Sequence, residues 1–192
     1  MNEHEFIARL DGAERVSITV HTDGRLQVAI AYEFGYRLDE IRGGGSRTLV
    51  FLRDDSEAAR HRAAWAGHHH RTTPNGAWWN ACWPPHVRSR PDAVTPAQAG
   101  AARIAVHHHD RDGTSGIRTL LLIAGTAALA GAGYAHHTHW LALTLLTLAI
   151  LLLTLVPTAA RLVRTAHHRQ LALLRRFEAQ RHPPPPDEPR TG

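Results

Sequence analysis

The sequence predicts an α+β domain followed by a transmembrane helical hairpin and a basic amphipathic helix. Residues 16–53 contain apolar runs rich in β-branched and aromatic residues, broken by Asp23-Gly24 and Gly43-Gly44-Gly45, as in a small antiparallel sheet. Thr119 to Ala160 then runs 42 residues without Asp, Glu, Lys or Arg, in a chain that is 20% charged. Residues 161–182 return six Arg against one Glu, interleaved with Leu, Val and Phe.

The first element is a short helix over 2–11. Phe6, Ile7 and Leu10 share one side, Glu3 and Glu5 sit at the positive end of the helix dipole, and Asp11-Gly12 closes it. Two alternating runs follow, Val16-Ile18-Val20 and Leu26-Val28-Ile30-Tyr32. A three-residue loop, Thr22-Asp23-Gly24, would pair Val20 with Leu26, Ile18 with Val28 and Val16 with Ile30, giving one coherent apolar face. The second strand extends through Phe34, Tyr36 and Leu38 with a bend near Gly35, and Gly43-Gly44-Gly45 leads to a third strand, Arg47 to Arg53. Asp54 and Glu57 have capping-box spacing before an Ala-rich helix from Ser56 to about Ala66. The expected unit, 1–66, is a three-stranded antiparallel meander with one or two helices, near the lower size limit for independent stability.

Residues 67–116 show no sustained period. They carry His68-His69-His70, Thr73-Pro74-Asn75-Gly76, Trp78-Trp79-Asn80-Ala81-Cys82-Trp83-Pro84-Pro85 and an Ala/Pro/Gly-rich stretch, and read as an irregular linker with a short helix near Pro96 to Ala105. The uncharged run divides at His136-His137-Thr138-His139 into spans 117–135 and 138–160 of a transmembrane hairpin. Residues 161–182 continue as an Arg-rich amphipathic helix, and the Pro183–Pro186 run opens a disordered tail, 183–192.

Charge orients the hairpin. Arg111 and Arg118 precede it and the Arg series follows, whereas the loop between the spans has no Arg, so both termini are expected in the cytoplasm. No signal peptide is visible in the acidic first ten residues. All 22 basic residues are Arg, and guanidinium forks suit phosphate, including lipid phosphate. Because the charge is concentrated just after the hydrophobic run, anionic headgroups near Arg161–Arg181 are the expected partner, rather than nucleic acid.

Candidate sites are few. Ala124-Ala128-Ala132 and Ala127-Gly131-Ala135 place small residues at four-residue steps. Such a face packs the two spans together or supports a homo-oligomer. Thr144, Thr147 and Thr154 are expected to bond back to their own helix. Sixteen His, with runs at 68–70, 107–109 and 136–139, and Cys82 with His86, raise metal binding as a possibility. Consecutive imidazoles in a flexible linker do not converge, so no metal site is expected. Trp78, Trp79 and Trp83 cover either the small domain or a membrane interface. Asp39, Glu40, His21 and His61 form no recognisable constellation, and neither a nucleophile elbow, a phosphate loop nor a zinc helix motif is present. No catalytic or cofactor-binding residue is assigned, and the chain is not expected to be an enzyme. The expected function is that of a two-span membrane protein whose cytoplasmic domain serves as an interaction, adaptor or sensor module with an unidentified protein partner. The alternative is a membrane-perturbing effector whose hairpins oligomerise under control of the N-terminal domain.

Overall fold

The computed structural model describes residues 2–43, 45–112, 115–134 and 137–181. The expected disordered tail and its Pro183–Pro186 run lie outside the described residues, as do Ala135 and His136 of the predicted hairpin turn. The chain forms two compact units, one within Met1–His107 and Gln170–Gly192, the other His108–Arg169.

The first unit is α+β around a three-stranded antiparallel sheet. Helix α1 (Glu3–Leu10) forms as its pattern predicts: the Asn2 side chain accepts the Glu5 amide at 2.7 Å, and Phe6, Ile7 and Leu10 are buried. Strand β1 (Arg15–Val20) alternates strictly, burying Val16, Ile18 and Val20. The next segment corrects the predicted meander. Leu26 to Tyr32 is not a strand but lies in helix α2 (Arg25–Glu33), entered through Gly24 at φ +71°. The positions that a strand would turn outward include Ala29 and Ala31, a good helix former placed where a sheet gains little. Both are buried here along with Val28 and Ile30. A helix buried on several sides and a half-buried strand therefore share this pattern over nine residues.

With α2 removed from the sheet, β2 (Tyr36–Arg42) and β3 (Arg47–Arg53) form the hairpin and β1 adds to the far side of β3, giving the order β1-β3-β2. Val16 pairs with Phe51 and Ile18 with Leu49, not with Ile30 and Val28. The central position of β3 explains its consecutive apolar run: Leu49, Val50 and Phe51 are all buried. A register shift between Leu38 and Glu40 interrupts the β2 ladder. The Tyr36 hydroxyl ties β2 to the end of α1, lying against the carbonyls of Leu10 and Ala13.

Helix α3 (Glu57–Thr72) is longer than predicted and carries His68-His69-His70 in its last turns. Its cap is Ser56, whose hydroxyl accepts the Ala59 amide at 3.3 Å, while Asp54 accepts the Ser56 amide at 3.0 Å; the predicted Asp54/Glu57 pairing is not the one formed. The predicted irregular linker is largely ordered. Two 3₁₀ turns at Pro74–Gly76 and Trp78–Ala81, helix α4 (Pro85–Arg88) and helix α5 (Pro96–Asp112) follow α3. Trp78, Cys82, Val87, Val94, Ala99 and Ala102 are buried, so aperiodic apolar residues here fill the core rather than span a gap. At Gly100 a Cβ would fall 2.0 Å from the Arg25 carbonyl oxygen, so α5 and α2 meet backbone to backbone and only glycine fits.

The second unit contains α6 (Ser115–Tyr134) and much of α7 (His139–Arg181). They pack antiparallel: a Cβ at Gly125 would meet Leu153 at 3.1 Å, and one at Gly131 would meet Leu145 at 3.3 Å. Thr144, Thr147 and Thr154 donate to carbonyls one turn back at 2.8–3.0 Å, as expected. Among the described residues α7 is the one helix long and apolar enough to cross a membrane. The uncharged part of α6, Thr119–Tyr134, has 16 residues, about 24 Å against a hydrocarbon thickness near 30 Å.

Candidate functional site

The last turns of α7 supply what the sequence pattern left unassigned. The apolar residues expected to face lipid, Leu174 and Phe177, join the core of the first unit, where Phe177 is fully buried and Leu173 packs beside it. Around Phe177 lies a buried ionic cluster. Arg181 Nη2 donates to Glu33 of α2 at 2.5 Å, with side chains only 7% and 2% exposed. Arg103 of α5 donates to Glu178 at 3.1 Å and lays its guanidinium over the Tyr32 ring, 3.4 Å from the centroid. Arg181 Nε lies 3.6 Å from the second Glu178 oxygen.

Two polar clamps flank this cluster. Gln180 accepts the Val94 amide at 3.0 Å and donates to the Val94 carbonyl at 2.7 Å, pairing with backbone as a strand would. Arg176 donates to both the carbonyl and carboxylate oxygens of Asp92. That guanidinium holds the Asp92 carboxyl below its ordinary range. Burial pushes the Glu33 carboxyl upward, against the opposing pull of Arg181 and Arg103. Removing this carboxylate from water therefore outweighs the attraction of its partners. Against burial, the charged partners in turn hold the Arg181 guanidinium above its ordinary range, and the expectation for such a buried pair is that it fixes where the helix end sits more than it adds net stability.

Cys82 belongs to the same core. It is fully buried, and burial, with Glu33 nearby, pushes its thiol well above the ordinary range, so it is a poor nucleophile and poor label acceptor. Trp78 is buried with its indole N–H donating to Glu3 at 3.1 Å, and Trp79 and Trp83 pack against the same core. These rings cover the domain.

A second feature is a cleft of about 600 Å³ between α1 and α3, floored by Phe34, Gly35 and Tyr36. His4 and His70 meet at one end with ring centroids 5.2 Å apart, and His70 Nδ1–H donates to the Gly76 carbonyl at 3.0 Å. Arg71 lines that end, whereas Asp11, Arg53 and Asp54 line the other.

The remaining sequence candidates do not converge. Asp39 pairs with Arg15 and Glu40 with Arg42, while His21 and His61 are exposed. His109 stacks on His167 with centroids 4.1 Å apart, a face-on contact that points lone pairs apart. Among the described residues no group of three or more His, Cys, Asp or Glu is arranged to hold a metal. Gly43 and Gly45 sit in the β2–β3 turn. The buried cluster was invisible as a motif because its members, Glu33, Arg103, Glu178 and Arg181, come from three separate stretches of chain. No protein-family model, characterised protein or solved structure matches the chain.

Proposed function

We propose that the protein is a small two-span membrane protein whose α+β unit serves as a cytoplasmic interaction, adaptor or sensor module. The observation that carries this reading is the continuity of α7. One helix holds the apolar stretch long enough to cross a bilayer, and its last turns lie in the α+β core. The residues that follow the apolar stretch in the same helix, Phe177 and Arg181, are buried within the α+β unit. A partner of the α+β unit would therefore be held near the membrane.

Further support comes from surface chemistry. Leu141, Leu143, Ile150 and Leu151 of α7 and Leu120 and Ile123 of α6 are exposed, an apolar surface that calls for lipid. Tyr134 and Trp140, both largely exposed, flank the turn between the helices where interfacial aromatics sit. The short first span would be accommodated by local thinning of the bilayer. Arg161, Arg164 and Arg169 are exposed and remain available to anionic headgroups; Arg176 and Arg181 are committed to the α+β unit. Gly131 of the small-residue face meets α7, as does Gly125 outside it, so Gly131 is used within the hairpin before any oligomer forms.

Topology is testable with introduced cysteines, since buried Cys82 stays silent in the native fold. Thr138→Cys, in the exposed turn, should react with an impermeant maleimide on intact cells. Ser46→Cys, in the exposed β2–β3 turn, should react only after mild detergent lysis. Labelling of Ser46→Cys on intact cells would put the α+β unit outside and overturn its cytoplasmic placement.

A further inference from the structure

The α1–α3 cleft has a polarity along its length. The face of α3 that lines it runs Ala59, Arg60, Ala63, Gly67, His70 and Arg71, one helical side spanning about 18 Å. Across from it, α1 offers His4, Ile7, Ala8 and Asp11. His4 lies beside His70 near the end of α3, so the helices run antiparallel and the charged groups sort by end. At the α1 C-terminal end, carboxylates balance the cations: Asp11 and Asp54 line the cleft, and Arg53 pairs with Asp55 at 3.2 Å. At the other end Arg71, His4 and His70 line the cleft with no carboxylate among the lining residues. Arg71 makes no ion pair with any described residue, and its Nη1 lies 3.4 Å from where a Gly67 Cβ would be.

Between the two ends the cleft is lined by Ile7, Ala8, Phe34, Ala63 and Gly67, all apolar or without a side chain. Gly76 adds a built feature. At φ +61° its missing side chain leaves the space taken by the two imidazoles; a Cβ there would lie 2.7 Å from His4 and 2.8 Å from His70. The His70 bond to the Gly76 carbonyl then fixes that ring's orientation beside Arg71.

A planar, unpaired guanidinium beside two imidazoles is a seat for a phosphate or similar oxyanion, and an apolar slot leading away from it suits a hydrocarbon body. We infer that the cleft binds an anionic amphiphile, a phosphate monoester with a single apolar chain. Its head sits at Arg71, His4 and His70, and its body lies along Ile7, Ala8 and Gly67. This site lies within the α+β unit and does not depend on the membrane topology above.

Calorimetric titration of the full chain in zwitterionic nanodiscs with octyl phosphate tests it. Saturable one-to-one binding is expected, at least tenfold tighter than inorganic phosphate. Arg71→Gln should weaken it tenfold or more, and Ala8→Phe, an exposed position that narrows the slot, should do likewise without disturbing the far-ultraviolet dichroism. Arg164→Gln, outside the cleft, should leave it unchanged. A second arm dopes the nanodiscs with lysophosphatidic acid: competition with octyl phosphate would assign the natural ligand to the membrane, and undiminished octyl phosphate binding would assign it to the soluble pool. Absence of binding, equal affinity for inorganic phosphate, or wild-type affinity in folded Arg71→Gln would overturn the assignment.

Discussion

Replacing Arg181 by methionine is expected to cost the α+β unit about 3–5 kcal/mol, because it strands the Glu33 carboxylate in a site from which water is excluded. Glu33→Leu should cost a similar amount by leaving the guanidinium buried beside an alkyl chain. The double substitution should recover most of the loss, since apolar side chains of comparable volume replace this ion pair while Glu178 keeps its bond from Arg103. The upward push of burial on the Glu33 carboxyl, stronger than the pull of Arg181 and Arg103, is the physical basis for that recovery. Urea unfolding in nanodiscs, followed by tryptophan fluorescence, gives all four corners of the cycle. Single losses under about 1 kcal/mol that simply add would mean the pair is solvated and contributes nothing to the docking of the helix end.

Phe177→Ala should be comparably severe, at about 3–5 kcal/mol. The ring is fully buried among residues of α2, α5 and α7, with the guanidinium carbons of Arg103 and Arg181 5.5 and 5.7 Å from its centroid. Its loss leaves a cavity next to two charged groups, and neither can move in without forfeiting its carboxylate. Phe177→Leu should recover part of the stability by refilling volume. The same unfolding measurement separates this from a lipid-facing Phe177, for which the alanine variant would change membrane partitioning but not the unfolding midpoint.

How much of this was legible beforehand depended on whether a segment's partner was local. Helix α1, strand β1 and strand β3 follow from their own side-chain periods, and the uncharged run announces α6 and α7. Residues 25–33 are ambiguous in isolation, because Leu26, Val28 and Ile30 fit an alternating strand as well as a helix buried on several sides. What settles the choice is non-local: Gly100 lets α5 approach α2, and Glu33 meets Arg181 from the far end of the chain. Trp78 and Cys82 carried no period either, since 3₁₀ turns fill the core one residue at a time. The Arg-rich stripe of 161–182 has the spacing of a headgroup face. Only its last turns, with Leu173, Leu174 and Phe177, pack on the α+β core, while Leu162 stays exposed; amphipathic spacing alone does not make that choice.

The central claim is that the last turns of α7 are part of the α+β fold. Amide hydrogen exchange of β3, residues Leu49 to Phe51, compared between the full chain and a chain ending at Arg169, tests it most directly. With residues 170–181 removed, the sheet should lose at least a hundredfold in protection while the shortened chain still sediments with membranes. Unchanged protection of Leu49, Val50 and Phe51 in the shortened chain would show that the domain folds without the helix end, and would contradict the account.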